Sequence, residues 1–166
     1  KGYSYPVIRG CREARGEIIC ITDADVIAPN DWLRKIKKAY GENPDAAAIG
    51  GVFYYHDGTK FLNFLLRVIY TISPKLIIAE MNGTNMSFRK TAYEKVGGFE
   101  YGVNLSSETL LVRKLRATGR ILIKKDIIVY TSRRRFRSLR STFKELLRRG
   151  INALSIKLRG KIIFNS

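Results

Sequence analysis

Two rhythms of apolar residues run along this chain, one of period two or continuous and one of period near 3.6, and they follow each other in turn. Glu17-Ile-Ile-Cys-Ile-Thr-Asp-Ala-Asp25 starts as a short β-branched apolar run, as a strand inside a parallel sheet does, and then turns acidic. Asn30 can cap a helix from Asp31 to Tyr40 with Leu33, Ile36 and Tyr40 on one face, and Gly41 to Pro44 ends it. Ala46 to Tyr55 predicts a strand that emerges into a His56-Asp57-Gly58 turn. Phe61 to Tyr70 predicts a helix with a broad apolar face, and Met86 to Arg89 a strand before a short helix that stops at Gly97-Gly98. Ser107 to Thr118 predicts a further helix, with Leu111 and Leu115 on one face and Gly119 as its C′ residue. Ile121 to Lys124 and Ile127 to Ser132 are the last two strands expected. The order is α/β, without internal repeats.

Beyond these, Leu139, Phe143, Leu146, Leu147, Ile151 and Leu154 recur at helical spacing, while Arg137, Arg140, Lys144, Arg148 and Arg149 occupy the other faces. This is a basic amphipathic helix, suited either to packing on a core with one solvated face or to an anionic bilayer surface. Residues 136–166 carry eight of the 31 basic residues against one acid, Glu145, so part of the surplus charge gathers here. At 166 residues, with 45% apolar and 11% aromatic positions, the chain suffices for a domain with a real core. Its formal net charge of +17 favours anionic partners: a phosphate-bearing substrate, an anionic membrane or a nucleic acid. No helix-turn-helix, zinc or aromatic RNA-binding signature accompanies the charge, which ranks a nucleic-acid module below the other two.

Cys11 and Cys20 are the only cysteines and have no metal-ligand spacing, which excludes a disulfide framework and points to a reducing, cytoplasmic setting. No signal peptide opens the chain. The most apolar stretch, Phe61 to Ala79, is interrupted by Asn63, Arg67, Pro74 and Lys75, so it is not a transmembrane helix. His56 is the single histidine and reads as a turn residue, and Trp32 fits a core position.

The densest chemistry lies at Asp23 and Asp25. In an α/β sheet, ligands bind in the crevice beyond the carboxyl ends of the strands, and two hard oxygen donors there suit Mg²⁺ or Mn²⁺ carrying a diphosphate. The same pair also fits a plain turn or helix cap.

The context sharpens the reading. Arg12-Glu-Ala-Arg-Gly-Glu-Ile-Ile-Cys-Ile-Thr-Asp-Ala-Asp-Val-Ile-Ala-Pro-Asn-Asp-Trp-Leu33 resembles family 2 glycosyltransferases, with A-x-G, E-I-I, a D-x-D signature and a helix opening on W-L. A second block, Asn82-Gly-Thr-Asn-Met-Ser-Phe-Arg-Lys-Thr-Ala-Tyr-Glu-Lys-Val-Gly-Gly-Phe99, resembles the family's G-x-N-M-x-F-R to V-G-G-F segment. The resemblance runs from about Arg12 to about Arg135 and implies a GT-A fold: a mixed sheet flanked by helices, here incomplete. Residues 1–135 would form a partial GT-A domain and residues 136–166 the basic helical extension. The strand-loop-helix unit that clasps the nucleotide in such domains has no counterpart in Lys1 to Arg15, so an unpaired sheet edge is expected.

What the resemblance implies is transfer of a sugar from a nucleotide-diphosphate donor to a hydroxyl of a glycan or lipid-linked acceptor, with inversion. Asp23 and Asp25 would hold Mn²⁺ or Mg²⁺ against the diphosphate. Asn82, Gly83, Thr84 and Asn85 would hold sugar and acceptor in line, through side-chain amides and a glycine that lets backbone approach. Tyr130-Thr-Ser-Arg-Arg-Arg135 resembles an S-x-R-R segment after the last core strand, which gives Arg133 and Arg134 the diphosphate oxygens.

The family's E-D pair falls on Ser106 and Ser107, and the expected aspartate is absent. Glu108, one residue on, is the candidate general base; an ordinary helix-start acid is its plainer role. Against the enzyme stands a catalytically inactive scaffold of the same fold, which the missing unit and the two serines favour. A lipid-linked acceptor would place the protein at the cytoplasmic face of a membrane.

Overall fold

The computed structural model describes residues 4–72, 81, 83–136 and 139–165. Along the chain run α1 (Ser4–Glu13), β1 (Ile18–Ile21), α2 (Trp32–Glu42), β2 (Ala46–Tyr55), α3 (Lys60–Ile72), β3 (Met86–Arg89), α4 (Lys90–Lys95), α5 (Ser107–Leu115), β4 (Arg120–Thr131), a 3₁₀ turn (Arg133–Phe136) and α6 (Leu139–Arg159). The sheet order is β1-β3-β2-β4. β3 is antiparallel to both β1 and β2, and β2 is parallel to β4. The apolar run in β1 therefore marks a strand in a mixed sheet and not a parallel one, because such a run reports burial and carries no information about direction. β1 and β4 are the two edge strands of this sheet among the described residues.

Helices cover both faces. On one, Ile8 and Cys11 of α1, Phe88 of β3, Tyr93 of α4 and Leu111 and Leu115 of α5 form one core cluster. Phe88 and Tyr93 stack with centroids 4.9 Å apart and Phe99 closes the aromatic group, which is the role of the chain around Gly97-Gly98. Gly98 has φ +63°, and an added Cβ would overlap the Tyr93 ring. On the other face, Trp32, Ile36 and Tyr40 of α2 pack on Ile49, Ile127 and Val129. Leu33, expected on that face, is 60% exposed. Both cysteines are free, and burial pushes the Cys20 thiol up to about 11, so the protonated, unreactive form prevails at neutral pH.

Several boundaries move. The N-cap residue of α2 is Asp31, not Asn30, and it makes no side-chain cap bond; its carboxylate instead lies 3.0 Å from Lys35. The helix also continues through Gly41 to Glu42. α5 stops at Leu115, short of Thr118, so Gly119 is not its C′ residue. Glycine is required at 119 for another reason: a Cβ there would lie 2.5 Å from the Asp45 carbonyl oxygen at the entry to β2.

The two strands expected between Ile121 and Ser132 are one strand with a break in register. Gly50 pairs with Ile123 and Val52 with Ile128, so Lys124 to Ile127 bulge away from β2. The bulge leaves ladder carbonyls without amide partners, and Asn85 supplies them. Its Nδ2 donates to the carbonyls of Val52 and Ile127, each at 2.9 Å, and its Oδ1 accepts from Trp32 Nε1 at 2.9 Å. Gly51 makes room: any Cβ would overlap both the Asn85 amide and the Ile127 carbonyl.

α6 packs against α5. Its inward face carries Asn152, Ser155 and Ile156, all buried, with Asn152 Oδ1 accepting from the backbone N–H groups of Ile163 and Phe164. Leu147, Ile151, Leu154 and Leu158 point outward instead, from 36% to 70% exposed. The helical repeat of apolar residues thus faces away from the core at these positions. The side chains of Leu139, Phe143 and Leu146 lie outside the described residues. Among the described residues no helix is long and apolar enough to cross a membrane.

Candidate active site

β1 ends at Ile21, and the chain turns at once, with the Val26 amide donating to the Asp23 carbonyl. Asp23 and Asp25 thus occupy the first and third positions of a tight turn at the carboxyl end of a strand. The turn is held on two sides. Thr22 Oγ1 donates to the Thr84 carbonyl at 2.9 Å, and Thr84 Oγ1 donates to Asp23 Oδ2 at 2.8 Å. This links the D-x-D turn to the second sequence block across the β1-β3 pair. Further on, Ile27 and Tyr130 exchange backbone hydrogen bonds at 2.7 and 3.0 Å, which brings the end of β4 and the arginines after it to the same turn.

There Arg134 pairs with Asp25, its guanidinium nitrogen 3.1 Å from Oδ2. The Arg134 side chain is 68% exposed and that of Asp25 30%, so the pair is a surface one, worth at most about 1 kcal/mol. Among the described residues Asp23 has no cationic partner. Two half-buried carboxylates held in one turn, each with one oxygen engaged by Thr84 or Arg134, fit a hard divalent cation that takes its remaining ligands from phosphate and water, as Mg²⁺ and Mn²⁺ commonly do. No third acidic, histidine or cysteine side chain joins them among the described residues, so the donor set is not a dedicated all-protein cage.

The arginine segment is itself fixed by a residue the sequence assigned only to a turn. Asp57 Oδ1 accepts the Arg133 backbone N–H at 2.8 Å and Asp57 Oδ2 accepts Ser132 Oγ at 2.7 Å. These two bonds hold its carboxyl below the ordinary carboxylate range, the Arg133 amide contributing most. A folded-state pKa depressed in this way stabilises the segment above the ordinary carboxylate range, and that stabilisation disappears as pH falls through the lowered value. Asp57→Ala is expected to accelerate tryptic cleavage at Arg133 and Arg134 several-fold with little change in Tm. Cleavage at the wild-type rate would show that the arginines are held by other means.

The remaining site residues divide. Gly83 and Thr84 are buried beside the turn, whereas Asn82 lies outside the described residues. Asn85 does not present its amide to the crevice: with 2% exposure and three hydrogen bonds spent on the bulge and Trp32, it is a structural clamp and not a substrate ligand. Glu108 stands in the first turn of α5, its Oε2 3.3 Å from Ser107 Oγ, and no hydrogen bond or ion pair among the described residues joins it to the D-x-D turn. Ser106, just before it, is the single described non-glycine residue with positive φ (62°), which sets where α5 begins. Sequence reasoning missed the clamping roles of Asp57 and Tyr130, since both depend on contacts between segments far apart in the chain. For the Asp57 cap the one available signal was an acid in the turn before a later basic run.

The profile described as Glycosyl transferase family 2 matches residues 1–97. A curated relative, the glucosyl-dolichyl phosphate glucuronosyltransferase of Haloferax volcanii, is 25% identical over 109 residues, covering 60% of this chain and 35% of that protein. Among solved structures, the mannosyltransferase PcManGT from Pyrobaculum calidifontis, in complex with GDP-Man and Mn²⁺, superimposes with a TM-score of 0.74 at 19% identity over 96% of this chain and 44% of its own. TarS of S. aureus (0.58, 16%) and mannosyl-3-phosphoglycerate synthase from Rubrobacter xylanophilus (0.55, 13%) superimpose on 97% and 96% of this chain, which spans 56% and 51% of theirs. The fold is GT-A, and the chain spans about a third of the curated relative and about half of each solved structure.

Proposed function

The chain belongs to glycosyl transferase family 2, and from that membership we propose that the protein transfers a sugar, with inversion, from a nucleotide-diphosphate donor to a hydroxyl of a lipid-linked or glycan acceptor. The observation that carries this reading is the turn in which Asp23 is hydrogen-bonded to Thr84 while Asp25 meets Arg134. Asp23 and Asp25 are the residues that would hold Mn²⁺ or Mg²⁺, which when bound neutralises charge growing on the departing diphosphate. Thr84 orients the Asp23 carboxylate, leaving its other oxygen for the ion. Arg134 sits on Asp25 until a donor arrives, then transfers its guanidinium to the diphosphate oxygens, a more highly charged and better-matched acceptor. Arg133, whose backbone is fixed by Asp57, adds a second cation at the same mouth. Glu108 takes the proton of the acceptor hydroxyl as the new glycosidic bond forms.

Two features support a peripheral membrane setting. The Haloferax relative is named for a dolichyl phosphate substrate, and α6 turns Leu147, Leu154 and Leu158 outward beside Lys157 and Arg159. The second reading, a non-catalytic protein of this fold, draws on the Asp25–Arg134 pair and on the serines at 106 and 107.

Incubating the full-length protein with GDP- and UDP-sugars and Mn²⁺ separates the two. Release of nucleoside diphosphate that is lost in Glu108→Gln supports the transferase with Glu108 as base. Release that persists in Glu108→Gln removes that base, and binding without any release by the wild type favours the non-catalytic reading. Arg134→Ala is expected to tighten Mn²⁺ binding several-fold without donor and to weaken donor binding about tenfold. Tightening without weakening would restrict Arg134 to neutralising Asp25.

A further inference from the structure

Between α3 and the far halves of β2 and β4 lies an open cleft of about 600 Å³, a volume within the range of ligand sites. Lys60, Arg67 and Lys125 line it, and among the described residues no carboxylate does. Among the described residues none of these three cations is paired with an acid. Val52, Phe64 and Ile128 supply an apolar floor and wall. Three unpaired cations over an apolar surface match one kind of ligand, an anionic group attached to hydrocarbon.

The cleft is tied to the site already described. Tyr130 lines it and also bridges to Ile27 in the loop after the D-x-D turn. Its α3 wall is anchored, since Asn63 Nδ2 donates to the Tyr55 carbonyl and Asn63 Oδ1 accepts the Tyr55 amide, each at 2.9 Å. Phe64, which lines the cleft, is 60% exposed, and Phe61 (69%) and Leu65 (40%) are exposed along the same helix at i−3 and i+1 from it. Lys125 is available because the β4 bulge turns Lys124 to Asp126 out of the ladder.

We propose that this cleft binds the phosphate and first hydrocarbon segment of a lipid-linked acceptor, with Lys60, Arg67 and Lys125 on the phosphate and Phe64, Val52 and Ile128 on the chain. The proposal rests on the transferase reading and adds to it the acceptor subsite. With the phosphate held beside Tyr130, a sugar attached to it extends toward the D-x-D turn, where its hydroxyl reacts.

The test uses dodecyl phosphate below its critical micelle concentration as the probe, titrated calorimetrically into the 166-residue chain, with inorganic phosphate and dodecyl maltoside as separate arms. Saturable binding of dodecyl phosphate is expected, weakened at least about tenfold in the Lys60→Ala/Arg67→Ala/Lys125→Ala variant and retained in Lys60→Arg/Lys125→Arg. The three side chains are exposed, so the alanine variant is expected to keep the wild-type Tm. Equal affinity for inorganic phosphate would make the cleft a free-phosphate site, and equal affinity for the maltoside a merely apolar surface. Either result overturns the proposal, as does unchanged binding in the alanine variant. Binding of Mn²⁺ with GDP and, separately, with UDP is measured on the same samples, and the outcome is read from whichever nucleotide binds. If the alanine variant loses it too, the cations belong to the donor and the lipid subsite falls; if the wild type binds neither, the transferase reading falls independently.

Discussion

Exchanging Asp25 for asparagine is expected to lower metal-dependent turnover of a nucleotide sugar by about a hundredfold or more, and Asp23→Asn to do the same, while Tm changes little. The magnitude follows from the chemistry. A diphosphate leaves only if the charge growing on it is stabilised, and removing one preorganised electrostatic element of that kind typically costs about 10²–10³ in rate. Asparagine keeps the size of aspartate and can accept a hydrogen bond from Thr84, so the turn stays intact and the effect reports on charge alone. At position 25 the exchange also releases Arg134. Were the pair only a turn cap, both variants would turn over donor at the wild-type rate across Mn²⁺ concentrations.

Replacing Asn85 with leucine is expected to destabilise the protein by about 3–5 kcal/mol, lowering Tm by many degrees or preventing folding. The change removes three hydrogen bonds at once and leaves the carbonyls of Val52 and Ile127 and the Trp32 indole N–H buried without partners, each costing about 1–3 kcal/mol. Asn85→Asp is a sharper probe. It keeps an acceptor for Trp32 but turns a carboxylate oxygen toward two carbonyls, so its effect is expected to equal or exceed that of leucine. Thermal unfolding of both variants checks this. Near-wild-type stability would mean that water or a shifted β4 register satisfies the bulge, and would return the Asn85 amide to the substrate.

The case of Asn85 shows where sequence reasoning reaches its limit. Its position in the second block was legible, and so were the strand it begins and the polar run before it. Its partners were not, because Val52, Ile127 and Trp32 come from three elements that meet only through the β2–β4 bulge, and that bulge has no local signature beyond Gly51 and the polar Lys124-Lys125-Asp126. The elements themselves were largely readable, since β2, β3 and the short helix after it are written in apolar periodicity and glycine stops. Strand direction was not, as β1 illustrates. The D-x-D turn was found because acids at the end of an apolar run are locally conspicuous; its neighbour Arg134 followed from the resemblance. Asp57 as the anchor of the arginines needed the fold. The outward face of α6 was also undecided by its sequence, because an apolar helical repeat looks the same whether it meets a core or a bilayer.

Manganese binding followed by electron paramagnetic resonance, with and without a nucleoside diphosphate, tests the central claim most directly. The wild-type protein is expected to bind Mn²⁺ weakly alone and at least about tenfold more tightly with GDP or UDP present, since the diphosphate completes the ligand set. The Asp23→Asn/Asp25→Asn variant is expected to lose both effects while keeping its fold. Tight Mn²⁺ and nucleotide binding that survives in that variant would place the ion elsewhere and contradict the account.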